Sequence, residues 1–250
     1  MSNRFGSFID GGKAFEIVTP DIPRNWYNYF FTDYYVSFTS QCAVGQGFMQ
    51  DSLGRRLQCV GARGMYAVED DKGWNLCGLP VYAPNEGYRC EHRRGASTVT
   101  LIKNGIKTAY TLFVPRHEDS LSCCEVSIVE VENLSDEARQ IKLISYVEND
   151  LDGVYKLQGY NTHAAKKTPD FNGLKHEFRE EFEGRKRAFT FFSACDRPLS
   201  AWDAAKNAFI GPYNSVFDPI ALHQGGCQNS DCVAEKMGFA LQTTIQLKPH

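Results

Sequence analysis

The chain has 250 residues, of which 42% are hydrophobic and 13% aromatic, and its formal net charge is −3. That length can bury a sizeable core, as one large all-β domain or two average ones. The weak negative charge gives no electrostatic case for nucleic acid or an anionic membrane as partner, and no apolar run approaches the length of a bilayer span.

Met1 to Gly12 is polar and Gly-rich, with no basic stretch leading into an apolar one, so it does not read as a secretory signal. Ala14-Phe15-Glu16-Ile17-Val18 predicts a short strand, ended by Thr19-Pro20. Tyr34 to Thr39 is β-branched and aromatic and predicts another. Gly45-Gln46-Gly47 lacks the third glycine and following helix of a dinucleotide loop, and reads as a turn or bulge between strands. Ser97 to Lys103 and Ile106 to Val114 flank Asn104-Gly105, the strongest short hairpin signal in the chain.

Cys124 to Glu132 alternates acidic or polar with apolar residues, which predicts a strand whose acids line the wet face of a sheet. Asn133 to Asp136 reads as a loop and Gln140 to Glu148 as the next strand. Lys166 to Phe171 and Asp203 to Asn207 read as loops or single helical turns, whereas Ala188 to Ser193 and Phe239 to Leu247 read as strands. Period two dominates and no long amphipathic helix is present. The expected fold is therefore all-β, a large antiparallel β-sandwich, with residues 1–250 as a single domain. The chain stops on a strand-like segment before Pro249-His250, so it reads as the first part of a longer protein.

Nine cysteines at irregular spacings read as reduced, mostly buried thiols of a cytoplasmic protein. The six histidines lack metal-ligand spacing and read as surface or hydrogen-bonded side chains, so no metal is expected. No nucleophile elbow is present, and no cysteine sits in a recognisable catalytic context. Asp10, Asp70, Asp71, Asp150, Asp152, Glu180 and Glu181 are carboxylates of the kind glycoside chemistry uses, but their order along the chain does not pair them. Asn149 to His163 follows a clear strand and is rich in amides and tyrosines, groups that stack on sugar rings and bond hydroxyls. A solvated connecting loop is the competing reading of the same segment.

Several segments, taken in order, resemble glycoside hydrolase family 94, the cellobiose phosphorylase-like enzymes formerly grouped as a glycosyltransferase family. They are Phe15-Glu16-Ile17 with Thr19-Pro20 and Pro23, Trp26-Tyr27-Asn28-Tyr29, and Gly45-Gln46-Gly47-Phe48 with Asp51 and Arg55-Arg56. Tyr88-Arg89-Cys90-Glu91-His92, Phe113-Val114-Pro115, Ser145-Tyr146-Val147-Glu148 and Phe209-Ile210-Gly211 continue the series. Gln46 stands where the family has a glycine.

The resemblance implies the N-terminal supersandwich domain of a longer, homodimeric protein. A helical (α/α)6 barrel would follow it and carry the aspartate general acid, so no catalytic residue is assigned to this chain. The implied reaction is reversible, inverting phosphorolysis of a β-linked di- or oligosaccharide to a sugar 1-phosphate. Inorganic phosphate is the co-substrate and no cofactor is implied. It also implies that Gln158 and Tyr160 bind the acceptor sugar, with Gly159 replacing an arginine of the cellobiose enzymes. A stand-alone carbohydrate-binding sandwich, or the equivalent domain of a cyclic β-1,2-glucan synthase-like protein, are the alternatives.

Overall fold

The computed structural model describes residues 4–50, 56–80, 86–116, 123–149, 164–182 and 185–250. Among these residues the chain forms strands β1 (Gly6–Ile9), β2 (Ala14–Ile17), β3 (Asn28–Phe31), β4 (Tyr35–Thr39), β5 (Gly45–Gln50) and β6 (Arg56–Val60). β7 (Arg63–Glu69), β8 (Lys72–Asn75), β9 (Glu86–Arg93), β10 (Ala96–Lys103), β11 (Ile106–Phe113), β12 (Val126–Asn133) and β13 (Arg139–Val147) follow. The set closes with β14 (Ala164–Thr168), β15 (Gly173–Phe182), β16 (Arg185–Ala194), β17 (Ala201–Ala205), β18 (Cys232–Val233) and β19 (Met237–Leu247). Helix is confined, in the described residues, to the turn Lys206–Phe209 and two 3-10 turns, Asp10–Gly12 and Ile220–His223. The all-β expectation holds.

Two compact units emerge. The first comprises Met1–Met65, Asn75–Arg139 and Gln246–His250, and the second Tyr66–Trp74 and Gln140–Ile245.

In the first unit a six-stranded sheet runs in the order β1-β2-β9-β10-β11-β12, all neighbours antiparallel. Asn104 and Gly105 both take positive φ, 54° and 72°, and Lys103 pairs with Ile106. That is the tight two-residue hairpin the Asn-Gly pair predicts. Ile106, Thr108, Tyr110 and Leu112 of β11 are buried on one face, and the residues between them are not. The pattern of the sequence is thus the pattern of burial. Ile17, Tyr88, Cys90 and Val99 form a buried cluster, with Phe15, Ile22 and Trp26 packed on it.

The second sheet of this unit runs β3-β4-β5-β6, again antiparallel. Here Gly45-Gln46-Gly47, expected as a turn or bulge, forms no turn, and only the bulge half of that reading has a counterpart. The stretch is the first half of β5, paired with β4 along its length, and the register slips only against β6, between Gly47 and Phe48. Glycine serves close approach here. A Cβ on Gly45 would meet the Phe38 carbonyl oxygen at 1.8 Å.

The second unit contains most of a five-stranded sheet, order β17-β19-β13-β7-β8, and a four-stranded antiparallel one, order β16-β15-β14-β18. Lys166 to Thr168 and Asp203 to Ala205, expected as loops or single helical turns, are strand residues of β14 and β17, whereas Lys206 and Asn207 do lie in a helical turn. One cluster packs Tyr66, Val68, Ile144, Tyr146, Phe209 and Leu222. Another packs Ala165, Leu174, Ala204, Met237, Phe239 and Leu241, with Val147 against it.

Candidate functional site

Gln158 and Tyr160 lie outside the described residues, as do Asp150, Asp152, His117 and His163. The structure does describe the two chain segments that flank residues 150–163. Val147 at the end of β13 and Ala165 in β14 pack against the same apolar cluster of the second unit. Both flanks are therefore fixed to one core.

The side chains just before the segment are also fixed. The Tyr146 ring stacks on Phe209, with centroids 4.8 Å apart and planes 13° from parallel. Gly238 makes room for it, since a Cβ there would lie 2.3 Å from the Tyr146 hydroxyl oxygen. Burial pushes the Tyr146 hydroxyl well above the usual phenol range, with the Glu148 charge adding to the shift. The hydroxyl stays protonated and donates to Glu148 Oε1 at 3.2 Å. Lys206 Nζ reaches the same oxygen at 2.8 Å. Asn149 follows, and its Nδ2 is buried with no hydrogen-bond partner among the described residues. The segment Tyr146-Val147-Glu148 and Phe209, separated by sixty residues and more, thus meet at one place.

The other quoted segments do structural work. His92 Nε2 lies 3.0 Å from the Trp26 carbonyl oxygen, which can only accept, so this nitrogen carries the proton. Its Nδ1, 2.9 Å from Ser97 Oγ, then accepts from that hydroxyl. Asn28 Nδ2 donates to Ser97 Oγ and to the carbonyls of Arg93 and Ala96. The Trp26 to Asn28 stretch is stapled in this way to the β9–β10 hairpin. Burial lowers the His92 pKa from its usual value of 6.5, so the neutral ring is the folded form.

The glycines of β5 border a buried ionic cluster. Glu125 Oε1 accepts from Arg63 Nη2 at 2.7 Å, from the Tyr35 hydroxyl at 2.8 Å and from Ser37 Oγ at 2.6 Å. The Arg63 and Glu125 side chains are only 4% and 11% exposed. Arg63 Nη1 also donates to the Phe38 carbonyl at 3.0 Å. Burial, and then the Glu125 charge, push the Tyr35 hydroxyl far above the phenol range and keep it a donor. Glu125 therefore overturns the reading of its strand as wet-faced throughout. Glu130 and Glu132 are exposed as expected, but Glu125 lies just before β12 and is enclosed.

A second enclosed carboxylate, Asp203, accepts backbone N–H groups from Gln228 and Ser230 at 3.0–3.2 Å. Burial raises its pKa, against the pull of those donors. It ties the loop after the Ile220–His223 turn to β17. Of the carboxylates singled out from the sequence, Asp10 is paired to Arg93 at the surface, and Asp70 occupies the β7–β8 turn with φ 51°. Among the described residues no group of three His, Cys, Asp or Glu side chains is placed to hold a metal ion. Of the nine cysteines, Cys42, Cys59, Cys77, Cys90 and Cys232 are buried. None of the described helices is long and apolar enough to cross a membrane.

Comparison with known proteins gives a consistent picture. The family described as "Glycosyl hydrolase 94, supersandwich domain" matches residues 13–250. The N,N'-diacetylchitobiose phosphorylase of Vibrio furnissii is 26% identical over 259 residues, covering 98% of this chain and 32% of that protein. Two proteins of Paenibacillus borealis are similar to the same degree. A 3-O-beta-D-glucopyranosyl-beta-D-glucuronide phosphorylase is 25% identical over 251 residues, covering 99% of this chain and 32% of its own length. A solabiose phosphorylase is 26% identical over 257 residues, covering 98% and 33%. The chain thus spans about a third of the length of these relatives.

Proposed function

The chain belongs to the glycosyl hydrolase 94 supersandwich-domain family, and on that premise we propose that it is the N-terminal domain of a glycoside phosphorylase. The observation that carries the reading is the match along almost the whole chain, in order, to proteins that are all phosphorylases of disaccharides or related glycosides by name. The parent protein would cleave a β-linked di- or oligosaccharide with inorganic phosphate and invert the anomeric carbon. An acid protonates the glycosidic oxygen while phosphate attacks from the opposite face. Phosphate is already anionic, so no enzymic base is required.

That acid belongs to a helical barrel beyond this chain. The role of the present domain is to shape the acceptor-sugar site through Gln158 and Tyr160. Gln158 offers a hydroxyl pair both a donor and an acceptor, and Tyr160 offers a ring face with a polar tip. The support in the structure is the fixed position of both flanks of that segment, with Glu148 held by Lys206 and Tyr146. A homodimer and a cytoplasmic setting belong to the same proposal.

The test is synthesis-direction kinetics on the full-length parent, varying acceptor and sugar 1-phosphate separately. Gln158→Ala is expected to weaken acceptor use by about 1–3 kcal/mol, the range for one unpaired polar partner, with the donor constants unchanged. Acceptor constants that stay at wild-type values in both Gln158→Ala and Tyr160→Ala would show the segment to be only a connector.

A further inference from the structure

The outward face of the β3–β4–β5 sheet departs from the ordinary chemistry of a solvated sheet. Such a face is normally polar, because the alternation of side chains puts apolar residues on the core side. Here the core side carries Phe30, Tyr35, Ser37 and Thr39, all buried. The opposite side carries Tyr29 and Phe31 of β3, Val36 and Phe38 of β4, and Gln46 and Phe48 of β5. Register places them in two cross-strand rows. Tyr29 pairs with Phe38, which pairs with Gln46, and Phe31 pairs with Val36, which pairs with Phe48. Tyr29 is 59% exposed and Phe31 76%. Leaving such rings in water forgoes about 1.5–3 kcal/mol each relative to burial, so a cluster of them marks a binding surface.

Four rings form one connected group, and Phe31 lies in the neighbouring cross-strand row. Phe38 sits at the centre of the group, 5.9 Å from Tyr29, 6.5 Å from Phe48 and 5.2 Å from Tyr27. None of the six outward positions carries a charge. The bordering polar residues are the amides Gln46, beside Phe38, and Gln58 of β6, beside Phe48, with Gln50 opposite Arg56 one row on. Each amide presents a donor and an acceptor.

Three strands span about 10 Å, and residues two apart along a strand about 7 Å. With its side chains, the field covers at most a few hundred Å², on the order of half or less of the roughly 800 Å² per partner that a stable protein interface needs. It is small, aromatic and edged chiefly with amides, and its six central positions carry no charge. Those properties fit a short run of sugar rings better than a second protein. Apolar sugar faces stack on the rings, and hydroxyls bond the amides.

We propose that the outward face of β3–β4–β5 is a binding platform for neutral oligosaccharide, separate from the acceptor residues Gln158 and Tyr160. This goes beyond the phosphorylase reading and does not depend on it, because its test requires no turnover.

The test is a calorimetric titration of the full chain with cellopentaose, with sedimentation velocity run in parallel on the free protein. Saturable binding is expected, weakened about tenfold or more by Phe31→Ala and by Tyr29→Ala, the loss of one stacking surface in each case. Both side chains are exposed, so circular dichroism and thermal melting should match the wild type. No binding, or binding that both variants leave intact, overturns the proposal. So does self-association that the two variants abolish while cellopentaose gives no heat, since the occupant is then a second copy of the chain.

Discussion

The hydroxyl of Tyr35 occupies the space where a side chain at Gly47 would begin: a Cβ on that glycine would lie 2.0 Å from the Tyr35 oxygen and 2.9 Å from Glu125 Oε1. Gly47 is thus the vacancy into which the buried cluster is built, and its φ is not in the left-handed region. Gly47→Ala should destabilise the chain by about 1–3 kcal/mol through overpacking alone. Urea unfolding reads this as a lower midpoint at unchanged slope. A midpoint within error of wild type would show that the Tyr35 ring has room to withdraw.

Removing Glu125 should cost more. Glu125→Ala leaves the Arg63 guanidinium enclosed without its counter-charge, and the usual penalty for half of a buried pair is about 3–5 kcal/mol. Replacing both partners, Arg63→Met with Glu125→Leu, should recover much of that loss because no charge is then left buried. The comparison is again by chemical unfolding. A double variant as unstable as Glu125→Ala would mean that the Tyr35 and Ser37 hydroxyls depend on the carboxylate as much as Arg63 does.

His92 gives a pH signature. Its folded pKa lies below 6.5, so in the window below pH 6.5 the unfolded chain takes up a proton that the folded chain refuses. Its contribution is fully present above that value and is lost as pH falls toward the folded pKa. His92→Gln should remove this slope below pH 6.5 while lowering stability at neutral pH. Parallel unfolding series at several pH values provide the check, and identical pH profiles for both proteins would contradict it.

The Lys206–Glu148 contact is partly solvated, so its direct effect on stability should be below about 1 kcal/mol. Its position just before residues 150–163 predicts a larger effect on binding. In the full-length parent, Lys206→Met should raise the acceptor KM several-fold, leave the sugar 1-phosphate KM unchanged, and be rescued by Lys206→Arg. Equal changes on both substrates would assign Lys206 a general structural role.

Sequence reading succeeds here where the cause is local. The Asn104-Gly105 turn is written in two adjacent residues, and the burial of β11 follows its alternation. It fails where the cause is distant. The glycines of β5 suggest a turn or bulge, and only the register slip after Gly47 answers to that, because nothing nearby shows that Tyr35 and Arg63 fill the space beside them. Glu125 resembles its solvated neighbours Glu130 and Glu132 until Arg63, 62 positions earlier, is brought against it. Asp203 lies in a stretch that looks polar and loop-like, yet its carboxylate is enclosed by backbone donors from residues 228 and 230. Of the candidate site, the family resemblance supplied Gln158 and Tyr160, which lie outside the described residues. Lys206, by contrast, carries no sequence signal that would pair it with Glu148.

The hairpin succession β9, β10 and β11 has a consequence in time. Each of these strands pairs with the next across a short turn, so closing them restricts few residues at once. The Arg63–Glu125 contact must instead close a loop of more than sixty residues, and the β2–β9 pairing one of more than seventy. Contacts of low sequence separation form first. During refolding, amide protection should therefore rise in β10 and β11 before the Tyr35 hydroxyl finds its carboxylate, so that the meander serves as the template on which the rest of the first unit condenses.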